Sequence, residues 1–557
     1  MTAALDAWVR ALDYSKSAVG KTLPGMMDEL AIAYGERSAL VEDGAAISYV
    51  TLAARINRVA RWASEQGLGD GDVVGLLMPN RIDYVVLWLA LTRIGCTVAL
   101  LNTNLGADAL RHCITAAGSD TIIVAGELGQ SVPFVRRVWN WDAIRRDADR
   151  QSSEPVTAVA PPRPDDRALL IYTSGTTGWP KATNITHRRI IEWSFWFAGM
   201  MDAQPTDRIY NCLPMYHSIG GVVAIGSMLV KGGSVFIRER FSASRFWQDV
   251  TQADCTIFQY IGELCRYLTT SEPHKLERSH RLRLACGNGL QGDVWRAFQE
   301  RFAVPQILEF YAATEGNLSL YNCEGKPGAI GRVPPFLARH FPIAIIRCDI
   351  ESNKPMRDAQ GLCIRCANDE PGEAISRIDA GRQFDGYTDP EASKSKILQN
   401  VFADGDRWFR SGDLMRKDAG GYYYFLDRLG DTFRWKGENV STTEVASVLR
   451  QTAGVLDAAV YGVAIEGNEG RAGMAAICVD DRFRFATLSA DLKERLPDYA
   501  HPVFVRLCGS LDTTGTFKLN KTDLVRQGYI DVSDPIWQRD KKTGQYQKVV
   551  ATSSPSN

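Results

Sequence analysis

The chain lacks an excess of either charge. Its 557 residues carry 64 basic and 65 acidic side chains, for a net charge of −1, so nothing in the balance favours nucleic acid as a partner. A long apolar run is also missing. The most apolar stretch, Tyr84 to Leu101, is broken by Arg93 and Gly95 and falls short of the roughly 20 residues a membrane span needs. A buried helix followed by a strand is expected there. The first residues, MTAALDAWVRALDYSKSAVG, have no basic start or apolar core of a secretory signal. A cytoplasmic protein is expected, with peripheral membrane contact and a homodimer left open. Cys363 and Cys366 form the one Cys-x-x-Cys pair among 12 cysteines, and the seven histidines make no His-Glu-x-x-His cluster. Reduced thiols are therefore expected, not a zinc or disulfide framework. No internal repeat is present.

What is there is ordinary globular composition, 45% hydrophobic and 23% charged, in a chain long enough for about three or four structural units. Strand-like and helix-like segments alternate through the middle. Arg208–Cys212, Ser234–Ile237 and Thr256–Gln259 read as strands. Gly220–Leu229, Ala243–Thr251 and Gly262–Leu268 read as helices. This alternation predicts an α/β fold with parallel sheets, whose ligands bind at the carboxyl ends of the strands. Gln151–Asp166 has linker composition and is expected to separate two subdomains. A second boundary is expected near Arg428–Asp431, after the strand Tyr422–Leu426, and the polar tail from Asp540 is expected to fray.

The loop YTSGTTGWPK, Tyr172 to Lys181, follows the apolar run Ala168–Ile171. Glycines Gly175 and Gly178 let backbone approach a polyphosphate. The hydroxyls of Thr173, Ser174, Thr176 and Thr177 donate to its oxygens, and Lys181 offsets its charge. The loop is not a Walker A motif, which needs Gly-Lys followed by Ser or Thr. Other segments have their own local chemistry. EFYAATEGN (Glu309–Asn317) offers a ring, a hydroxyl and a hard oxygen ligand. CGNGL (Cys286–Leu290) is a glycine-bracketed turn. Asp413, in RSGDLMR, can accept two hydroxyls. Ser441 and Glu444 have capping-box spacing and predict a helix start. PMYHSIGG carries His217, and TTGTFKLNK carries Lys518 on a glycine-containing loop.

In this order, these segments resemble the adenylate-forming superfamily. EFYAATEGN, FDGYTDPEAS and DRLGDTFRWKGENVSTTEV are most similar to its branch of fatty acid transport proteins and very-long-chain acyl-CoA synthetases. The resemblance implies a large N-terminal domain of several subdomains with parallel sheets (1–429). It also implies a small mobile α+β domain (430–540), ahead of a polar tail (541–557). It places ATP on the 173–178 loop, on Gly287, Asn288 and Gly289, on Tyr311 and Ala312, and on Asp413 and Arg428, which hold the ribose. Thr314, Lys181 and Lys518 would serve the α-phosphate chemistry, and Glu315 would bind Mg2+. Lys436 and Gly437 would flank the CoA path. The hinge position falls on Gly430, where many relatives carry Asp or Lys. Lys521 is kept as a surface residue. His217 is expected on the wall of the acyl site, with Trp196 and Tyr260 as aromatic candidates whose alternative is ordinary core.

The implied reaction has two halves. A fatty acid attacks ATP to give an acyl-adenylate and pyrophosphate, and CoA then takes the acyl group. A steroid-type or other bulky acid, or a carrier protein in place of CoA, remains an alternative. So do a membrane transporter and a catalytically dead sensor.

Overall fold

The apolar stretch that is too short for a membrane forms the helix Ile82–Arg93, buried at every position, and the buried strand Thr97–Leu100. Its two charged residues are paired inside: Asp83 with Arg55 and Arg145, and Arg93 with Asp28. The computed structural model describes residues 2–549 except 133, 157–160, 174–178, 351, 380, 437, 466–469, 514–518, 520, 530–531 and 541–542. Among them no helix is long and apolar enough to cross a membrane.

Contacts divide the chain into two units. One comprises Met1–Phe341 with Ile378–Ile397, and the other Pro342–Arg377 with Leu398–Asn557. The first unit holds two sheets. One has the strand order Arg137–Asn140, Thr121–Val124, Val73–Leu77, Thr97–Leu100, Arg167–Thr173, Lys181–Thr186. All its joints are parallel except the last. The other sheet runs Ser319–Asn322, Ile307–Ala312, Leu284–Asn288, Ile257–Ile261, Arg208–Asn211, Ser234–Ile237, Ser38–Glu42, Ala45–Ser48. It is parallel inside and antiparallel at both edges. The expected alternation of strands and helices is therefore present.

Two expectations about chain organisation are corrected. The linker Gln151–Asp166 does not separate subdomains. It returns the chain from an edge strand, Arg137–Asn140, through the helix Trp141–Asp149 to Arg167–Thr173 of the same sheet. The expected frayed tail contains the strand Tyr546–Lys548, which pairs with Ile536–Arg539. Tyr546 is buried there, and its hydroxyl donates to Pro502 O at 2.7 Å.

The second unit contains the strands Ile343–Ile346, Gly372–Ile378, Arg407–Lys417 and Tyr422–Arg428 in sheet order. It also contains a five-stranded sheet: Val455–Val463, Ala472–Val479, Phe504–Leu507, Ile536–Arg539 and Tyr546–Lys548. The helix Thr442–Gln451 starts where the capping box places it, with Ser441 Oγ accepting from Glu444 N at 3.2 Å. The boundary expected at 429–430 lies inside this unit.

Candidate functional site

The expected phosphate loop is a hairpin connection. Thr173 and Lys181 are cross-strand partners at the ends of two antiparallel strands; Ser174, Gly175, Thr176, Thr177 and Gly178 lie outside the described residues. The loop's flanks are fixed to the helix Ala107–Ala117. Tyr172 donates to Cys113 O at 2.7 Å, His112 Nε2 lies 3.2 Å from Pro180 O, and Trp179 stacks on His112 at 5.5 Å. Tyr172 is thus an anchor for the strand end.

Carboxyl ends of parallel strands supply the next two loops. Ile307–Ala312 leads into Thr314 and Glu315, and Leu284–Asn288 leads into Gly289 and Leu290. Thr314 Oγ1 lies 3.1 Å from Ser218 Oγ, which joins the AATEG turn to the segment carrying His217. That segment is pinned by two buried asparagines. Asn80 accepts from Met215 N and donates to Leu213 O, both at 2.8 Å, and Asn211 donates to Gly220 O at 2.9 Å. His217 is half-buried against Tyr216. A π-helical turn, Ile219–Val223, follows at once; such turns gather at functional sites.

Glu315 is half-buried. Its Oε1 accepts from Tyr387 at 3.0 Å and lies 3.7 Å from Lys396 Nζ. Lys181 Nζ lies over the Tyr387 ring at 5.8 Å. Tyr387 therefore links two expected site residues, Lys181 and Glu315. Its one signal in the sequence is its place in FDGYTDPEAS. Among the described residues no group of three or more His, Cys, Asp or Glu side chains could hold a metal unaided. One carboxylate is nevertheless a fitting donor set for Mg2+, which keeps its waters and binds phosphates with one or two carboxylates.

The glycines of CGNGL are required by close approach. A Cβ on Gly287 would sit 2.1 Å from Tyr260 O, and one on Gly262 1.9 Å from Gly289 O, while Gly289 has φ +79°. Beneath this loop lies Glu309, which the sequence reading missed. It is fully buried, with Oε1 accepting from Leu290 N at 3.1 Å and Oε2 from Tyr260 at 2.5 Å. Burial pushes its carboxyl up to about 8. Two acyl-site expectations are corrected accordingly. Tyr260 has no exposed surface, and its hydroxyl supports Glu309. Trp196 is half-buried and packs against the core, on Trp8, Tyr321 and Phe341 at 5.9, 5.7 and 5.5 Å. Tyr311 is half-buried and Ala312 exposed at the end of their strand.

In the second unit, Asp413 and Arg428 face each other on neighbouring antiparallel strands, with Arg428 Nε 3.6 Å from Asp413 Oδ1. Asp427, one residue earlier, is buried. It accepts from Thr442 N at 2.6 Å and from Thr442 Oγ1 at 2.9 Å, and burial pushes its carboxyl above the usual range. Lys521 corrects a further expectation. It is no free surface residue, because Nζ donates to Thr442 Oγ1 at 2.7 Å and lies 3.4 Å from Asp431 Oδ2. Gly430 sits in the turn closed by Asp431 N to Arg428 O at 3.0 Å. Lys436 has φ +53° and lies 3.7 Å from Asp498 Oδ2. Gly437 and Lys518 lie outside the described residues.

Comparison with known proteins follows the same lines. Residues 27–362 match the model of AMP-binding enzymes, and 444–518 match the AMP-binding enzyme C-terminal domain. Human long-chain fatty acid transport protein 1 is 41% identical over 95% of this chain and 86% of its own. The medium/long-chain fatty acid–CoA ligase FadD6 of Mycobacterium tuberculosis is 38% identical over 94% and 88%. The crystal structure of ATP-bound MatB from Rhodopseudomonas palustris superposes with a TM-score of 0.78 at 23% identity, over 91% of this chain and 99% of that one. It has the same fold.

Proposed function

The chain belongs to the AMP-binding enzymes, and from that premise we propose that it is an AMP-forming acyl-CoA synthetase acting on long or very long chain fatty acids. The observation that carries the reading is the convergence of Lys181, Tyr387, Glu315, Thr314 and Ser218 around strand ends of the first unit. Two relatives named for long-chain fatty acids, similar over most of their length, support the substrate class. All 12 cysteines are free thiols, which supports a reducing, cytoplasmic setting.

A fatty acid is ionised at neutral pH and needs no general base. Its carboxylate attacks the α-phosphorus of ATP, the α–β bridging bond breaks, and pyrophosphate leaves. Thr173, the 174–178 loop and Lys181 receive the departing phosphates, while Thr314 and Lys518 meet the charge that develops on the α-phosphate. Mg2+ arriving with the nucleotide supplies further charge neutralisation, and Glu315 would hold it. Gly287, Asn288, Gly289, Tyr311 and Ala312 bound the adenine, Asp413 and Arg428 take the ribose diol, and His217 borders the acyl carboxylate. CoA then approaches past Lys436 and Gly437 after rotation about Gly430. Its thiolate forms the thioester bond as the bond to AMP breaks. Pyrophosphate release measured over acids of graded length, with and without CoA, tests this. Long-chain acids should give pyrophosphate, with turnover only when CoA is present. Release with steroid acids alone, or turnover only with a pantetheinylated carrier protein, would overturn the substrate assignment.

A further inference from the structure

Arg189 occupies a position that helix electrostatics disfavours. It lies in the first turn of His187–Met200, where its own N–H is capped by Thr186 Oγ1 at 3.3 Å and no acidic residue follows in that turn. Helix starts carry positive potential, so a cation there is unfavourable. The side chain is also buried, which pushes the guanidinium below the usual arginine range. Compensation comes from three directions. Nη1 donates to Asp385 Oδ2 at 3.3 Å and to Glu315 O at 3.4 Å, Nη2 donates to Gly316 O, and the Trp193 ring lies 5.2 Å from the guanidinium carbon. Arg188 adds a second cation on Asp385, at 3.5 Å.

The guanidinium therefore ties the helix start to the Glu315–Gly316 backbone and to the segment Ile378–Ile397. That segment brings Tyr387, two residues after Asp385, onto the Glu315 carboxylate. The backbone of Glu315 is held by Arg189 and its carboxylate by Tyr387, and both holds converge on one short stretch of chain. We propose that Arg189 is a positioning residue for adenylation, aiming the Glu315 carboxylate by clamping its backbone against Asp385. The proposal rests on the reading of Glu315 as the carboxylate that takes the Mg2+ of the nucleotide.

The test uses the full chain in five variants: R189M, R189K, D385N, R189M/D385N and E315Q. Each is measured for thermal unfolding, for ATP binding by calorimetry at graded Mg2+, and for pyrophosphate release with palmitate. D385N leaves the buried Arg189 guanidinium without its carboxylate, and R189M leaves Asp385 with Arg188 alone, so both should unfold at lower temperature, D385N by more. The double variant removes both charges and should recover that loss. Its half-saturating Mg2+ concentration should nevertheless stay about tenfold or more above that of the unmodified protein, because the carbonyl clamp is gone. R189K keeps the charge without the fork and should shift Mg2+ dependence with little loss of stability, which keeps the test open should R189M fail to fold. A double variant with unaltered Mg2+ dependence, set against a shifted E315Q, would overturn the positioning role alone. An unshifted E315Q would overturn the reading of Glu315 and the proposal together.

Discussion

Glu309 is a buried carboxyl group with three donors in reach, counting the backbone of Gly289 and Leu290 and the hydroxyl of Tyr260. Burial raises its pKa from the ordinary 4.5 to about 8, against the lowering effect of those three hydrogen bonds. A carboxyl raised on folding contributes stability that is full below its unfolded value and lost as pH rises through its folded one. The unfolding midpoint of the unmodified protein should therefore lose a contribution from about pH 4.5 to pH 8. Glu309→Gln does not titrate and should lack that component. Calorimetric midpoints taken across this range check it, and parallel pH profiles for the two proteins would sink the idea. The motif that holds Thr314 and Glu315 was legible because it is contiguous. Glu309, Asp427 and Tyr387 were not, since their roles come from neighbouring strands: Gly287 opposite Glu309, and Thr183 bridged to Tyr387. No local residue spacing encodes those partners.

At the scale of elements, local chemistry was readable wherever all its members lie within a few residues. The Thr442–Gln451 helix is the clearest case, announced by Ser441 and Glu444. Replacing Ser441 by Ala should lower unfolding free energy by about 1 kcal/mol, measured by denaturant titration of the full chain; no change would mean that Asp427, bonded to Thr442 N, suffices as the cap. The same helix start receives Lys521 from far along the sequence, a contact invisible until the chain folds. The helix expected over Gly220–Leu229 also changes character. Its first turn is π-helical, and Gly226 lies where a Cβ would fall 2.0 Å from Ser194 Oγ. Two helices meet there more closely than any side chain larger than hydrogen allows.

For the whole molecule, the two proposed half-reactions predict opposite phenotypes. Lys518→Ala should abolish adenylation, read as pyrophosphate release, yet spare thioester formation from supplied acyl-AMP. Gly430→Pro fixes a backbone torsion at the proposed hinge and should retain adenylation while losing CoA transfer. Equal loss of both steps in K518A, or unchanged turnover in G430P, would contradict these assignments. The aromatic residues show why substrate recognition was the least readable property. The segment Trp193–Phe197 (WSFWF) carries four rings, but Trp196 packs its ring on Trp8, some 190 positions earlier.

The sequence by itself determined the alternation of strands and helices, the family, and the contiguous motifs that hold the candidate site residues, because periodicity and short motifs are local properties. Tertiary structure decided which side chains support those motifs. Burial and strand order turned Tyr260 from a tunnel candidate into a prop for Glu309, made Lys521 an anchor, and brought Arg189 beneath Glu315. The physical reason is that an ionisable group's role depends on its desolvation and its partners, and those are set by segments that meet only on folding.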